Sequence, residues 1–295
     1  MKILKNIFGN QKNEQQKATD KVVSNSNKPN KLTKAREKEF FKLIIDEETN
    51  QSETIQLYLN EFPELCNSVV SGMKKGIDGF SSLILAIRFY DFNTARKLVE
   101  LGANVNFIDS STVRENHSPV FFDFLQMTRD FIEWEEFEQV EIGFKLWDLM
   151  ESKGLDYRQS SIVNDGINRP KNCLEAFLSF ASIKYGNQHL LEPKTGIIKK
   201  GSGNLKKESS YERILKRLIE SVSDIEIKEL DANHYRSISG TKRHAYIEHG
   251  YVDPFILDIT NKLINQKLGF EIKNINDESH IRKLDKEITR FANTI

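Results

Sequence analysis

The chain of 295 residues has only two cysteines, Cys66 and Cys173, and both fall in apolar helical patterns. That excludes a disulfide framework and predicts buried free thiols in a reducing compartment. Excess charge is also missing. The 43 basic residues balance 43 acidic ones, so the chain is not built to coat nucleic acid with positive charge. No run approaches the roughly 18–20 apolar residues needed to cross a bilayer, so no transmembrane segment is expected. The start, Met1 to Gly9, has too short an apolar stretch, broken by Lys5, to serve as a secretion signal. A cytoplasmic location is expected.

Catalytic and cofactor motifs are absent too. Gly196 and Gly201 have the spacing of a phosphate-binding loop, but Ser202 and Gly203 stand where lysine and a hydroxyl residue would be needed. The lysines at 194, 199, 200, 206 and 207 instead read as a basic loop able to meet an acidic partner or phosphates. His244, Glu248 and His249 gather three metal-ligand types at a spacing that fits neither arrangement of zinc-binding helix motifs. No catalytic residue, metal or cofactor is therefore assigned. The Trp134 and Trp147 side chains read as core or interface anchors.

What the chain does have is uneven charge and helical periodicity. Residues 1–38 carry ten basic and three acidic side chains, a surplus of +7, whereas residues 109–160 carry twelve acids and five bases. Residues 1–32 read as a flexible basic arm, because 9–31 lack large apolar groups to offset the cost of ordering. Within the arm, Ile3, Leu4, Ile7 and Phe8 fall at helical spacing around Lys2 and Lys5. From residue 33, with Thr33 as cap, Phe40, Phe41, Ile44 and Ile45 form an apolar stripe. A second helix follows, with Ser52 as cap and Ile55, Leu57, Tyr58, Leu59 and Phe62 on its buried side.

The segment Asp78 to Asn106 is the most informative. Ser81 can cap a helix that buries Leu83, Ala86 and Ile87. A second helix buries Ala95, Leu98, Val99 and Leu101, and Gly102 ends it in the left-handed conformation. Gly79-Phe-Ser-Ser-Leu-Ile-Leu-Ala86 followed by Leu98-Val-Glu-Leu-Gly-Ala-Asn-Val-Asn106 resembles an ankyrin repeat. Serines replace the family's Thr-Pro, and Ile84 replaces its His. A degenerate earlier unit closes at Glu61 to Asn67. A later one opens at Ser118-Pro119-Val120, with the serine as cap, and closes at Gly154. An acidic, aromatic insertion from Met127 to Glu141 separates its helices. Fainter units place Leu174, Phe177, Leu178 and Ala181 on one helix and Tyr211, Ile214, Leu215, Leu218 and Ile219 on another. Further helices are expected at 254–264 and 279–292.

The resemblance implies a mainly α fold: an ankyrin-like solenoid of stacked helix pairs with long inter-helix insertions and a disordered N-terminal arm. The repeats span 33–160, with divergent helical repeats or a cap over 161–295. It also implies a protein-protein interaction module rather than an enzyme, in its sharper form an immunity or antitoxin-type protein that neutralises a partner, itself basic. The family's contact positions fall on Ile77, Asp78, Phe80, Arg88, Phe89, Thr112, Arg114, Glu115, Leu125 and Gln126. Two alternatives stay open: an enzyme or nucleotide binder using residues 186–255, and a membrane-surface adaptor using residues 1–9.

Overall fold

The computed structural model describes residues 31–46, 52–73, 76–110, 116–163, 172–180, 182–184, 205–228, 250–252 and 254–269. Residues 33–295 form one compact unit and residues 1–32 another. The first unit in sequence lies almost wholly outside the described residues, as do residues 186–204, 231–249 and 279–292. The expectations for the arm, the Gly196 loop, the histidine group and the last helix fall there.

The fold is mainly α-helical. The first pair is α1 (Lys34–Ile45) and α2 (Ser52–Glu61), followed by a 3-10 turn at Pro63–Asn67. The second is α3 (Ser82–Arg88) and α4 (Phe92–Glu100), and the third is α5 (Val120–Glu133) and α6 (Phe137–Ser152). Then come α7 (Cys173–Phe180), α8 (Leu205–Ser221), α9 (Asp224–Lys228) and α10 (Pro254–Leu268). Short antiparallel strands accompany them: β1 (Asn116–His117) pairs with β2 (Ile162–Val163), and β3 (Ser182–Lys184) with β4 (Gly250–Val252). First helices pack on first helices, α1 on α3, α3 on α5 and α5 on α7, while α4 lies against α2 and α6.

Local chemistry explains the starts. Thr33 Oγ1 accepts from Arg36 N at 3.3 Å, Ser81 Oγ from Ile84 N at 3.2 Å, and Asp91 Oδ1 from Thr94 N at 2.9 Å. Each acceptor satisfies an amide that the first helical turn leaves without a partner. The third pair departs from expectation. Pro119 itself is the cap of α5 and makes no side-chain bond, while the Ser118 amide donates to Asp109 Oδ2 at 2.9 Å. Proline fixes the extended entry, so no serine cap forms.

The ends repeat with closer fidelity. After α3, Asp91 N donates to Ala86 O and Tyr90 N to Ile87 O, both at 3.0 Å; after α5, Glu136 N donates to Phe131 O and Glu135 N to Ile132 O. Tyr90 and Glu135 take φ of 61° and 60° to close these Schellman turns without glycine. Both second helices end in the same motif at glycine, with φ of 97° at Gly102 and 82° at Gly154. Helices α3 and α4 have 7 and 9 residues, α5 and α6 have 14 and 16, so both members of the pair grow by seven. That is about two turns of helix in each direction. The stretch from Met127 to Glu141, expected as an insertion separating the two helices, is therefore helical on both sides of a short turn. It is the added length of a hairpin that lengthens both arms equally, which keeps its ends in register with the shorter pair.

The core runs through aromatic rings. Phe92 lies 5.5 Å from Phe124, Phe124 5.6 Å from Phe121, and Phe121 5.2 Å from Trp147. Trp147 is fully buried, and its Nε1 donates to Tyr157 Oη at 2.6 Å. Two assigned core positions are corrected: Leu101, the C-cap of α4, is only half-buried, and the other lies in α2. Leu57 is 67% exposed. Ile55 and Leu59, four apart, define the buried face of α2, and a residue midway between them points away.

Candidate protein-binding surface

Asparagine clamps join successive units. Asn67 Nδ2 donates to Gly102 O at 3.1 Å, and its Oδ1 accepts from Asn104 N at 2.9 Å. Thirty-nine residues on, Asn106 does the same to the next unit: Nδ2 to Gly154 O and Oδ1 from Asp156 N, both at 2.8 Å. One amide thus satisfies a helix-terminal carbonyl and the amide two residues beyond it. The corresponding position in the third unit is Arg158, whose side chain is exposed and pairs with Asp156. Sequence reading took Asn106 as part of the family signature but missed the clamp. Its signal is an asparagine placed four residues after the helix-ending glycine.

The clamps feed hairpin fingers. Val69 bridges Ser81 and Ile108 bridges Pro119 across the finger bases. Ser110 N donates to Gly79 O at 3.1 Å, linking one finger to the next, and β1 with β2 extends the pairing. In the second finger Asp109, buried, accepts from Ser118 N, and its Oδ1 lies 3.0 Å from His117 Nδ1. Among the described residues, the exposed finger positions are small serines and glycines: Ser71, Gly72, Gly76 and Ser110. None is the aromatic or arginine type that dominates interface energetics.

The residues expected at the contact surface divide. Ile77, Phe80 and Leu125 are buried, with Leu125 at 0% exposure, and cannot meet a partner. The physical reason lies in the first helices. Residues 82–87 of α3, 120–125 of α5 and 173–178 of α7 are buried without a break. Six consecutive helical residues sweep more than about one and a half turns, so no side of these segments stays open. Asp78 is half-buried and accepts from Gly72 N at 2.9 Å, holding the first finger's shape. Arg88 binds the nearly buried Asp123 at 2.7 Å and lies 4.6 Å over the Phe80 ring, tying α3 to α5. Phe89 caps α3 and is half-buried, as is Gln126. Thr112, Arg114 and Glu115 lie outside the described residues.

The two tryptophans part company. Trp147 is core, whereas Trp134, the C-cap of α5, is 47% exposed. Its ring is held from within by Tyr90, 5.0 Å away, and Phe131, 6.0 Å away. Tyr90 Oη donates to Asp130 Oδ2 at 3.0 Å, and Arg129 pairs with the other Asp130 oxygen at 3.2 Å. Glu135, Glu136 and Glu138 stand exposed around the turn. Trp-Glu-Glu at the point where an apolar stripe stops was the available signal.

Behind this turn a second cluster fastens α8 to α5. Glu133 accepts from Lys207 Nζ at 2.6 Å and from the Tyr211 hydroxyl. Burial pushes the Glu133 carboxyl up, but the Lys207 and Tyr211 hydrogen bonds and the Arg129 charge outweigh it and hold the group below its ordinary value. Burial and the neighbouring Glu133 charge push the Tyr211 hydroxyl well above its own. Lys206 lies 5.7 Å from the Phe137 ring. Lys206 and Lys207 are thus in the first turn of α8, not in the basic loop to which the sequence assigned them. The Cys173 thiol is pushed up to about 12 by burial, and Cys66 is shifted upward for the same reason.

Among the described residues no group of three His, Cys, Asp or Glu side chains could hold a metal ion, and no helix is long and apolar enough to cross a membrane. Comparison with family models, curated proteins and solved structures returns no match.

Proposed function

We propose that this chain is a protein-interaction module, built as an ankyrin-type stack of helix pairs, that acts by binding and not by catalysis. The repeated clamp supports this reading: Asn67 on Gly102 and Asn106 on Gly154 join units that end in the same Schellman turn. Repeats joined in this way present a row of equivalent loops and turns along one edge. With residues 82–87, 120–125 and 173–178 of the first helices α3, α5 and α7 buried, contact falls to that edge, where fingers and inter-helix turns stand out. An acidic turn carrying an exposed tryptophan suits a basic protein partner better than nucleic acid.

Affinity capture from the native cell, with the full chain as bait and mass spectrometry as readout, tests the reading. The expected result is one protein retained in near-stoichiometric amount at low salt and released as ionic strength rises. Repeated captures that retain nothing above a control bait would end it.

A further inference from the structure

Four times among the described residues an arginine lies on an aromatic face while pairing with a carboxylate. Arg36 is 5.0 Å from the Phe62 centroid and 3.1 Å from Glu61. Arg88 does this with Phe80 and Asp123. Arg213 lies 3.6 Å over Phe144 and 3.0 Å from Glu141, and Arg217 lies 4.3 Å over Trp147 with Asp148 at 2.8 Å and Glu151 at 2.5 Å. The last two join the α6 surface to α8.

At Trp134 two of the three parts are present. The ring packs on Tyr90 and Phe131 and is 47% exposed, and Glu135, Glu136 and Glu138 are exposed in the same turn. Among the described residues no cation lies over this ring, and none pairs with these three glutamates. Indole is the strongest cation-π face among the side chains, and a guanidinium can stack on it while bonding a carboxylate. The left-handed Glu135 fixes the turn that presents the ring, so little ordering remains to be done on binding.

We infer that the α5–α6 turn docks an arginine-bearing segment of a partner protein, with a guanidinium stacked on Trp134 and held by Glu135, Glu136 or Glu138. The inference rests on the interaction-module reading and names the partner's chemistry. It commits to a basic peptide segment because Glu135, Glu136 and Glu138 outweigh Lys206, which lies over the Phe137 ring beside them.

The test titrates the full chain into a fluorescein-labelled peptide of alternating arginine and glycine and follows anisotropy at low and high salt. Saturable binding is expected, weaker at high salt and weaker for the lysine counterpart. Trp134→Ala should reduce affinity by about 2- to 30-fold, the range of a cation-π contact. Glu135→Gln with Glu136→Gln and Glu138→Gln should reduce affinity and flatten the salt dependence. Glu53→Gln with Glu64→Gln, on another helix pair, should change neither. Far-UV circular dichroism checks that each variant keeps its fold, and the glutamine variant alters surface positions only. A peptide that does not bind, or that binds the folded Trp134→Ala chain as tightly as the native one, overturns the proposal. Sedimentation showing a dimer that Trp134→Ala dissolves also overturns it, in favour of a second copy as occupant. Undiminished capture of the native partner by Trp134→Ala would leave the module reading standing and this site refuted.

Discussion

Asn106→Ala tests the joint between units most directly. The substitution removes two hydrogen bonds of 2.8 Å, one donated to Gly154 O and one accepted from Asp156 N. A net contribution of about 0.5–1.5 kcal/mol per bond sets a range of about 1–3 kcal/mol. Asn106 is half-buried, so water can reach part of what is left, and the lower portion applies, about 1–2 kcal/mol. For a unit of this size that corresponds to a fall in Tm of about 2–8 °C. Asn106→Asp keeps the acceptor but sets a carboxylate oxygen against the Gly154 carbonyl, so it should be no better than alanine. Asn67→Ala acts at the other joint, and Asn104 touches both, since its N donates to Asn67 Oδ1 and its Oδ1 accepts from Asn106 N, so the double variant measures the coupling between the two joints. Equilibrium unfolding in urea, followed by far-UV circular dichroism, gives each value. A change below about 0.3 kcal/mol for Asn106→Ala, or native stability in Asn106→Asp, would show that the clamp does not hold the units together.

Other outcomes are expected from the same geometry. Trp147→Ala empties a fully buried site ringed by Phe121, Phe124 and Phe144 and should cost about 3–5 kcal/mol in the same assay. Glu133 has a folded value below the unfolded one, so its contribution is complete above the ordinary glutamate range and is lost as pH falls through the lowered value. Glu133→Gln should therefore destabilise at pH 7, with the gap to the native chain narrowing as the solution is acidified below about 4.3; a gap that widens in acid contradicts the assignment. Cys66 and Cys173 are both buried with raised values, so a thiol reagent at pH 8 should label neither in the folded chain and two per chain in denaturant.

Much of the helical layout was legible in the sequence, because apolar spacing and capping are local. Phe40, Phe41 and Ile44 set α1, Ser81 caps α3, and Gly102 and Gly154 end α4 and α6, all readable within a few residues. The candidate site was far less legible. The ankyrin resemblance put contact positions on Phe80 and Leu125, and the structure buries both. Apolar residues filling every side of α5 were visible as a run, Val120-Phe-Phe-Asp-Phe-Leu125, but family positions outweighed them. Leu57 shows the converse error, since a large apolar side chain does not say whether its face of the helix has a neighbour, and for Trp134 the sequence left core and interface open.

The sequence by itself determined the capped starts of α1 and α3 and the glycine stops of α4 and α6, because those choices depend on hydrogen-bond donors and acceptors within about four residues. Tertiary structure decided the rest. Only in three dimensions do Asn106 and Gly154 meet, 48 positions apart, or Lys207 and Glu133, 74 apart. Burial is a property of what packs against a face, and that neighbour comes from distant chain. So the sequence shows a tryptophan among acids, while the structure places Trp134 at the end of α5 and packs its ring on Tyr90 and Phe131 with the rest left to solvent.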